Sequence, residues 1–334
     1  MTASLLVFVP VALLVLVGGV CFVGCVLDTS GLGLSFTEYS DKDIINHPDC
    51  VAYWRLNDLG VATTNPPSEI TAVDTVGKNN NDPHNGKYKN KVSNPSLFPC
   101  PGGPLDPPNN TAHSAVGPGD LTIAAPGIVT GDTMPPNDPK NPISFPCMQT
   151  NGAFVIVDSN ATCNPPVFSA ECWVFAEWDA NDGPALRFVI DSRENAGSVV
   201  SGFAMYVNEA GNWEALVADG GGTTFALVTG GKAALTTLTH VVLTYDGAVA
   251  NLFVDGKLAG SNAITGFVPN TTQPLTIGAG FGRLPERTDP SQLLAFPLCP
   301  FKGKIQDVAI YKAALSVLDV TKHHDNGLGQ ASET

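Results

Sequence analysis

Three carboxylates lie close together in the middle of the chain, in the run Glu177-Trp-Asp179-Ala-Asn-Asp182. Residues i and i+2 of a β-strand face the same side, so Glu177 and Asp179 would present their carboxylates together. Two carboxylates that flank a glycosidic bond can work as nucleophile and acid in a glycosidase. Asn-Asp182-Gly183, however, is typical of a turn that ends a strand before the third carboxylate. We therefore predict that the chain is not an enzyme, with glycoside hydrolysis as an alternative.

Aromatic side chains offer a second kind of chemistry, because an aromatic face can stack on the apolar side of a pyranose ring. The candidates for such stacking are Trp178, Tyr206 and Trp213. Arg283 and Arg287 stand together on a later loop and complete the predicted ligand-binding set.

The elements that must position these residues are strands. The chain contains 34 Gly and 27 Pro, and only 14% of its residues are charged, which suits an all-β protein with many turns. The clearest elements lie in Leu238–Leu258, where two short apolar runs are each followed by Asp-Gly. Gly accepts a positive φ at such turns, so this stretch predicts an antiparallel hairpin.

The order of residues in this hairpin, HVVLTYDG and then NLFVDGKL, resembles the central hairpin of laminin G-like domains in the concanavalin A-like jelly-roll superfamily. Val51–Asp58 resembles the first strand of these domains, and Phe301–Ser316 resembles the last strand and the turn after it. The resemblance implies a two-sheet antiparallel jelly-roll sandwich. This fold hosts lectins, adhesive modules and glycanases alike. Its glycanases carry Glu where this chain has Asp182, which favours a recognition role.

The resemblance also covers a loop that in some family members binds calcium. The matching loop here, from Asp74 to Gly86, is rich in Asp, Asn and Gly. Calcium takes oxygen ligands on flexible loops. Calcium is the only cofactor predicted, and the alternative is a solvated turn of Asn and Asp. The candidate ligands are Asp74, Asn79 and Asn81, with Asp307 at a position where the family often has Asp-Glu.

The net charge of −14 bears on partners. Nucleic acid is excluded as a partner, because its phosphates need clustered Lys and Arg.

His323-His324-Asp325, at the end of a helix predicted to begin after Ser316, could bind a metal ion. The same residues also suit a helix C-terminus, which favours positive charge.

Leu5–Val26 contains 22 residues without a charge. At about 1.5 Å per residue it would span roughly 33 Å as a helix, about the thickness of a bilayer core. Three interpretations compete: an uncleaved transmembrane anchor, which we favour, a lipoprotein signal ending at Cys25, and a helix buried in a larger assembly. We divide the chain into an anchor or assembly helix (1–27), a polar linker (28–48), a jelly-roll domain (49–328) with a Pro-rich insertion at about 91–146, and a tail (329–334).

Eight cysteines are present, two of them in the apolar segment. The other six, in an exported domain, indicate up to three disulfides. The predicted pairs are Cys100–Cys147, across the Pro-rich insertion, and Cys163–Cys172. The remaining pair, Cys50–Cys299, fits poorly if the first and last strands run antiparallel. A free buried thiol is the alternative for each of them.

These features predict a membrane-anchored recognition or adhesion domain at the extracellular cell surface, which binds glycan or a surface protein without catalysis. One alternative is a structural subunit of a surface appendage, filament or particle, in which the N-terminal helices pack together and the jelly rolls decorate the outside. The other alternative is a glycoside hydrolase.

Overall fold

A computed structural model describes residues 40–56, 71–79, 82–89, 121–125, 133–134, 143–144, 147–151, 153–179, 182, 184–196, 199–221, 225–280 and 299–329. All of them belong to one compact unit, Phe36–Thr334. Within these ranges no helix combines the length and the apolar character that crossing a bilayer requires. Several predictions fall outside the described residues or side chains: the Leu5–Val26 helix, the Cys100–Cys147 pair, Asn79, Asn81, Arg283 and Arg287.

The domain is built from two antiparallel eight-stranded sheets, which confirms the predicted all-β sandwich. The first sheet has the order β16-β15-β14-β9-β18-β7-β4, and β1 also pairs with β18. Its strands are β1 (Cys50–Trp54), β4 (Leu121–Ala125), β7 (Cys147–Asn151), β9 (Phe168–Ala176), β14 (Leu238–Tyr245), β15 (Val249–Val254), β16 (Lys257–Ala263) and β18 (Lys302–Tyr311).

The second sheet has the order β13-β12-β11-β10-β17-β8-β3-β2. Its strands are β2 (Thr71–Ala72), β3 (Gly86–Lys89), β8 (Phe154–Val157), β10 (Arg187–Ala196), β11 (Val199–Val207), β12 (Asn212–Ala218), β13 (Phe225–Lys232) and β17 (Leu275–Ile277). A separate pair of short strands joins β5 (Thr133–Met134) and β6 (Ile143–Ser144). The helices are α1 (Thr75–Asn79), a 3-10 turn (Ala161–Cys163) and α2 (Val317–Gly327).

The main core lies between the two sheets and follows the period of two along each strand. On β14, Val241, Leu243 and Tyr245 all face this core. Fully burying a side chain such as Leu243 contributes about 1.5–3 kcal/mol. The predicted hairpin is confirmed, because β14 pairs with β15 and β15 pairs with β16.

A second apolar cluster lies on the other face of the first sheet. Trp173, Val242 and Tyr311 from the sheet pack there against Val320 of α2. Ile44, in a π-helical turn at Ser40–Ile45, is fully buried in the same cluster. The linker predicted for 28–48 therefore extends too far, because its last residues carry an apolar side chain that packs on the domain.

The cysteines correct a further prediction. Cys163 and Cys172 are both free and buried in the main core, so the predicted Cys163–Cys172 disulfide is wrong. Burial raises the pKa of both thiols well above the usual range. Cys50 is also free, whereas Cys299 is disulfide-bonded to a partner outside the described side chains.

Candidate functional site

Among the aromatic residues predicted to stack on sugars, only Trp178 is accessible. It is half-buried and lies two residues beyond the end of β9, at one rim of the sandwich. Trp213 is 1% exposed, because the alternation of β12 turns it into the main core. Tyr206 is equally buried on the opposite face of its sheet, against Phe188. The stacking role predicted for Tyr206 and Trp213 is therefore wrong.

Neighbouring side chains hold the Trp178 indole in place. The guanidinium carbon of Arg187 lies 4.8 Å from the centre of the ring, in a cation–π contact. The ring of Phe301 meets the indole edge-on, at a centroid distance of 5.6 Å. Arg187 is itself anchored, because its Nη1 donates to the carbonyl oxygen of Ala185 at 3.1 Å. Trp178 is thus a fixed aromatic surface, so little side-chain entropy remains to be lost on binding.

Asp182 lies near Arg187 and is engaged in a turn. Its Oδ2 accepts the N–H of Asp179 at 2.7 Å and lies 2.9 Å from the ammonium of Lys302. Burial would raise the pKa of Asp182, but the Asp179 N–H and the Lys302 ammonium outweigh burial and lower it. Asp182 is therefore a carboxylate at neutral pH and does not store a proton for acid catalysis.

The other two carboxylates of the run lie outside the strand. Strand β9 ends at Ala176, so Glu177 and Asp179 both lie beyond it. The rule that residues i and i+2 share a face of a strand does not apply to them. This outcome agrees with the turn predicted at Asn-Asp182-Gly.

The rim is completed by the segment that leads into β14. Leu235 forms a parallel bridge with Ala176, and Thr236 donates its N–H to the carbonyl oxygen of Ala176 at 2.8 Å. The side chain of Leu235 is 42% exposed. We call Trp178, Asp182, Arg187, Leu235 and Lys302 the Trp178 rim. It combines an aromatic face and an exposed aliphatic side chain with a partly exposed ion pair, in which Lys302 is 33% and Asp182 30% exposed.

The predicted calcium loop is organised around a buried carboxylate. The Oδ1 of Asp74 accepts the backbone N–H groups of Tyr53 at 2.9 Å and Gly77 at 3.0 Å. Its Oδ2 accepts the N–H of His84 at 3.0 Å. Three N–H dipoles therefore point their positive ends at the oxygens that a cation would need. Asp74 as arranged does not fit a calcium ligand.

Asp307 is fully buried and does not fit a metal ligand either. Its Oδ1 accepts the hydroxyl of Tyr53 at 2.6 Å, and its Oδ2 accepts the side-chain amide of Gln306 at 3.2 Å. In the described ranges no group of three or more His, Cys, Asp or Glu side chains could hold a metal ion.

A buried polar cluster beneath α2 was not predicted from the sequence. Glu171 stands on the outward face of β9 and is fully buried. Its Oε1 accepts the hydroxyl of Tyr311 at 2.7 Å. Its Oε2 lies 2.9 Å from Nδ1 of His323 and 3.6 Å from Nε2 of His240. We call these four residues the Glu171 cluster. His323 is thereby placed in an ion pair, and not at a metal site.

The cluster shifts the pKa values of its members in different directions. Burial would raise the pKa of Glu171, but the charge of His323 and the nearby imidazole of His240 hold it well below its usual range. Burial would lower the pKa of His323, but Glu171 raises it. Burial lowers the pKa of His240 and outweighs Glu171. At neutral pH the arrangement favours a Glu171–His323 ion pair beside a neutral His240.

The cluster fastens α2 to the first sheet. The ring of Trp173 stacks on His240 at 4.6 Å and on His324 at 6.0 Å. Asp43 adds a second tie, since its oxygens lie 2.6 Å from the Lys322 ammonium and 2.7 Å from the Asn326 amide. Glu171, His240 and Trp173 are fully buried, so the contacts between these three side chains are closed to solvent. A carboxylate within the otherwise uncharged β9 sequence is the signal that could have revealed the cluster.

Comparisons with known proteins agree with this architecture. A laminin G-like family model, described as the Concanavalin A-like lectin/glucanases superfamily, matches residues 149–321. No curated protein matches the chain.

Distant similarities to solved structures also exist. The receptor binding domain of a botulinum neurotoxin C/D mosaic serotype is 14% identical, with a TM-score of 0.48 and coverage of 83% of this chain and 51% of that one. The binding domain of serotype D is 13% identical, with a TM-score of 0.47 and coverage of 83% and 50%. The chain thus spans about half the length of these structures. Similarity at this level carries no inference about activity.

The match of the family model covers more than half of the sequence, and it includes strands of both sheets and the hairpin of β14 and β15. The chain therefore belongs to the concanavalin A-like lectin/glucanase superfamily.

Proposed function

We propose that this chain is a non-catalytic recognition domain that binds carbohydrate at the Trp178 rim. Membership of a superfamily of lectins and glucanases supports a carbohydrate ligand. The observation that carries the proposal is the partly exposed indole of Trp178, whose ring centre lies 4.8 Å from the guanidinium carbon of Arg187. The disposition of Glu177, Asp179 and Asp182 supports binding without hydrolysis, because no two of them share a strand face.

The composition of the rim suits a sugar. One face of a pyranose is apolar and would stack on Trp178 or Leu235, whereas its hydroxyls need partners that both donate and accept. Lys302 supplies donors and Asp182 supplies acceptors, and both are partly exposed. The two groups already neutralise each other at 2.9 Å, so the rim favours hydroxyl groups over a charged ligand.

A glycan-array screen of the full chain in mild detergent tests this proposal. We expect the wild type to bind a subset of glycans and Trp178→Ala to bind them at least about tenfold more weakly, since a buried aromatic contact contributes about 1.5–3 kcal/mol. Trp178→Phe should retain part of the affinity. Leu258→Ala, which truncates a side chain that is 56% exposed on β16, is the matched surface control.

Two outcomes would count against the proposal. Absence of binding to any glycan would favour a protein ligand. If Trp178→Ala bound glycans with unchanged affinity, the glycan-binding site would lie elsewhere than at the Trp178 rim. Circular dichroism and the melting temperature of each variant establish that binding is compared between folded proteins.

Display at the extracellular surface through Leu5–Val26 is part of the proposal. The support is the stretch of 22 residues without a charge. In cells, an anchored chain should stay with membranes during alkaline carbonate extraction, and protease added outside intact cells should cleave it. Release into the soluble fraction would contradict the anchor without affecting the proposed binding rim.

A further inference from the structure

Three Asn-x-Thr sequences occur in the chain, at Asn109, Asn160 and Asn270. Such a sequence, with x other than Pro, is the acceptor for N-linked glycosylation in exported proteins. Asn109 lies outside the described residues. The other two differ in the structure, because the side chain of Asn160 is partly exposed and that of Asn270 is buried.

We infer that Asn160 carries an N-linked oligosaccharide and that Asn270 does not. The inference rests on the export assumed in the proposed function. Asn160 is partly exposed, and its neighbours Asp158, Ser159 and Ala161 are exposed. It stands before the 3-10 turn in an extended conformation, with φ −147° and ψ 133°.

Within the described part of the chain, the side chain of Asn160 forms a hydrogen bond through its oxygen. Oδ1 accepts the N–H of Thr162 at 2.7 Å, which joins the two residues of the acceptor sequence. Among the described residues no partner binds its Nδ2. A sugar on Nδ2 would therefore displace no hydrogen bond between the residues that the structure describes.

The side chain of Asn270, in contrast, is buried and forms hydrogen bonds through both its nitrogen and its oxygen. It is fully buried, and its Nδ2 donates to the carbonyl oxygen of Gln273 at 2.8 Å and to the hydroxyl of Ser192 at 3.4 Å. Its Oδ1 accepts the N–H groups of Thr272 and Gln273. A sugar at Nδ2 would break the turn that leads into β17, so a folded chain carries none there.

The position of Asn160 is compatible with carbohydrate binding at the Trp178 rim. Asn160 precedes β9, and Trp178 follows it. The nine residues of β9 span about 30 Å at roughly 3.3 Å per residue. An oligosaccharide on Asn160 would thus lie at the other end of the sandwich and leave the proposed ligand site open.

The modification requires a polyprenyl-diphosphate oligosaccharide as donor. Nδ2 of Asn160 forms a bond to the anomeric carbon of the sugar, and the bond from that carbon to the diphosphate oxygen breaks. The diphosphate leaves with the electron pair, and the amide loses one proton to a base of the transferase. No oxidant or reductant is needed.

The test uses the full chain expressed in a eukaryotic secretory host, with intact mass measured before and after peptide N-glycosidase. We expect Asn160→Gln and Thr162→Ala to lose the mass of one glycan. Thr162→Ser keeps the hydroxyl and should keep the glycan. Thr272→Ala removes the acceptor sequence of Asn270 without touching the buried amide, and it should leave the mass of the glycans unchanged.

A reporter variant separates failure of this inference from failure of export. Ala210→Thr creates an acceptor sequence at Asn208, in the exposed turn between β11 and β12. A glycan on the reporter with none on Asn160 would overturn the inference and leave export intact. Absence of glycan from both would overturn the inference and the proposed export together. A glycan on Asn270 would overturn the distinction between the two sites.

Discussion

At the scale of single residues, Asp74 shows how one buried carboxylate can hold a loop. It accepts three backbone N–H groups, from Tyr53 on β1, from Gly77 in α1 and from His84 before β3. We predict that Asp74→Asn destabilises the fold by about 2 kcal/mol, because its amide group cannot accept the hydrogen bonds that one of the oxygens accepted. Chemical denaturation of the wild type and the variant measures this change.

The same residue gives a prediction about calcium. A ligand that binds only the folded state raises the melting temperature. Because three N–H groups already point at the carboxylate of Asp74, we expect millimolar calcium to leave the melting temperature of the wild type unchanged relative to a chelator. Asp158→Asn, at an exposed position, is the matched control for the charge change and should be neutral. A calcium-dependent rise that Asp74→Asn abolishes would restore the predicted calcium site.

The period of two along a strand separates its two faces, but it does not say what covers each face. Tyr206 and Trp213 lie on opposite faces of the second sheet, yet both are buried. The sequence predicts the turn at Asp182 without revealing that Arg187 and Lys302 meet there. Such contacts join residues of separate strands, and spacing along one sequence does not contain them. The Trp178 rim could therefore be predicted only in part.

At the scale of elements, local signals were the most informative. The helix predicted to begin after Ser316 is present and starts with a capping box: the Ser316 hydroxyl accepts the Asp319 N–H at 3.1 Å, and Asp319 accepts the Ser316 N–H at 3.1 Å. The hairpin of β14 and β15 is also confirmed. Both depend on residues a few positions apart. The Glu171 cluster joins β9 to α2 across about 150 residues, which no local pattern reveals.

Variants of the capping residue Ser316 measure how much the start of α2 contributes to the stability of the protein. We predict that Ser316→Ala destabilises the protein by about 1 kcal/mol, because the first turn of α2 loses its side-chain acceptor. Ser316→Asp, which keeps an acceptor, should restore most of the loss. Leu318→Ala, at a side chain that is 76% exposed, should have little effect. A thermal melt in which Ser316→Ala is unchanged would mean that α2 is held by its buried face alone.

At the scale of the whole molecule, the Glu171 cluster ties stability to pH. Because the pKa of His323 is raised in the folded state, protonated His323 stabilises the fold fully below about pH 6.5. This stabilisation is lost as the pH rises through the pKa of His323 in the folded state. The lowered pKa of His240 acts on the acidic side of pH 6.5. Neutral His240 stabilises the fold above about pH 6.5, and this stabilisation is lost as the pH falls towards and through the pKa of His240 in the folded state. Because the pKa of Glu171 is lowered in the folded state, the free energy of unfolding falls further below about pH 4.3.

We therefore predict a maximum of the unfolding free energy near pH 6.5, with a separate origin for the decline on each side. Each unit of pKa difference between folded and unfolded states corresponds to about 1.4 kcal/mol. His323→Gln should flatten the decline above the maximum, and His240→Gln should flatten the decline just below it. Denaturant titrations from pH 5 to pH 9 measure both. Each variant is the control for the other, since both remove one buried imidazole next to Glu171. If His323→Gln kept the alkaline decline, the ion pair beneath α2 would not be its source, and groups elsewhere in the domain would set the dependence on pH.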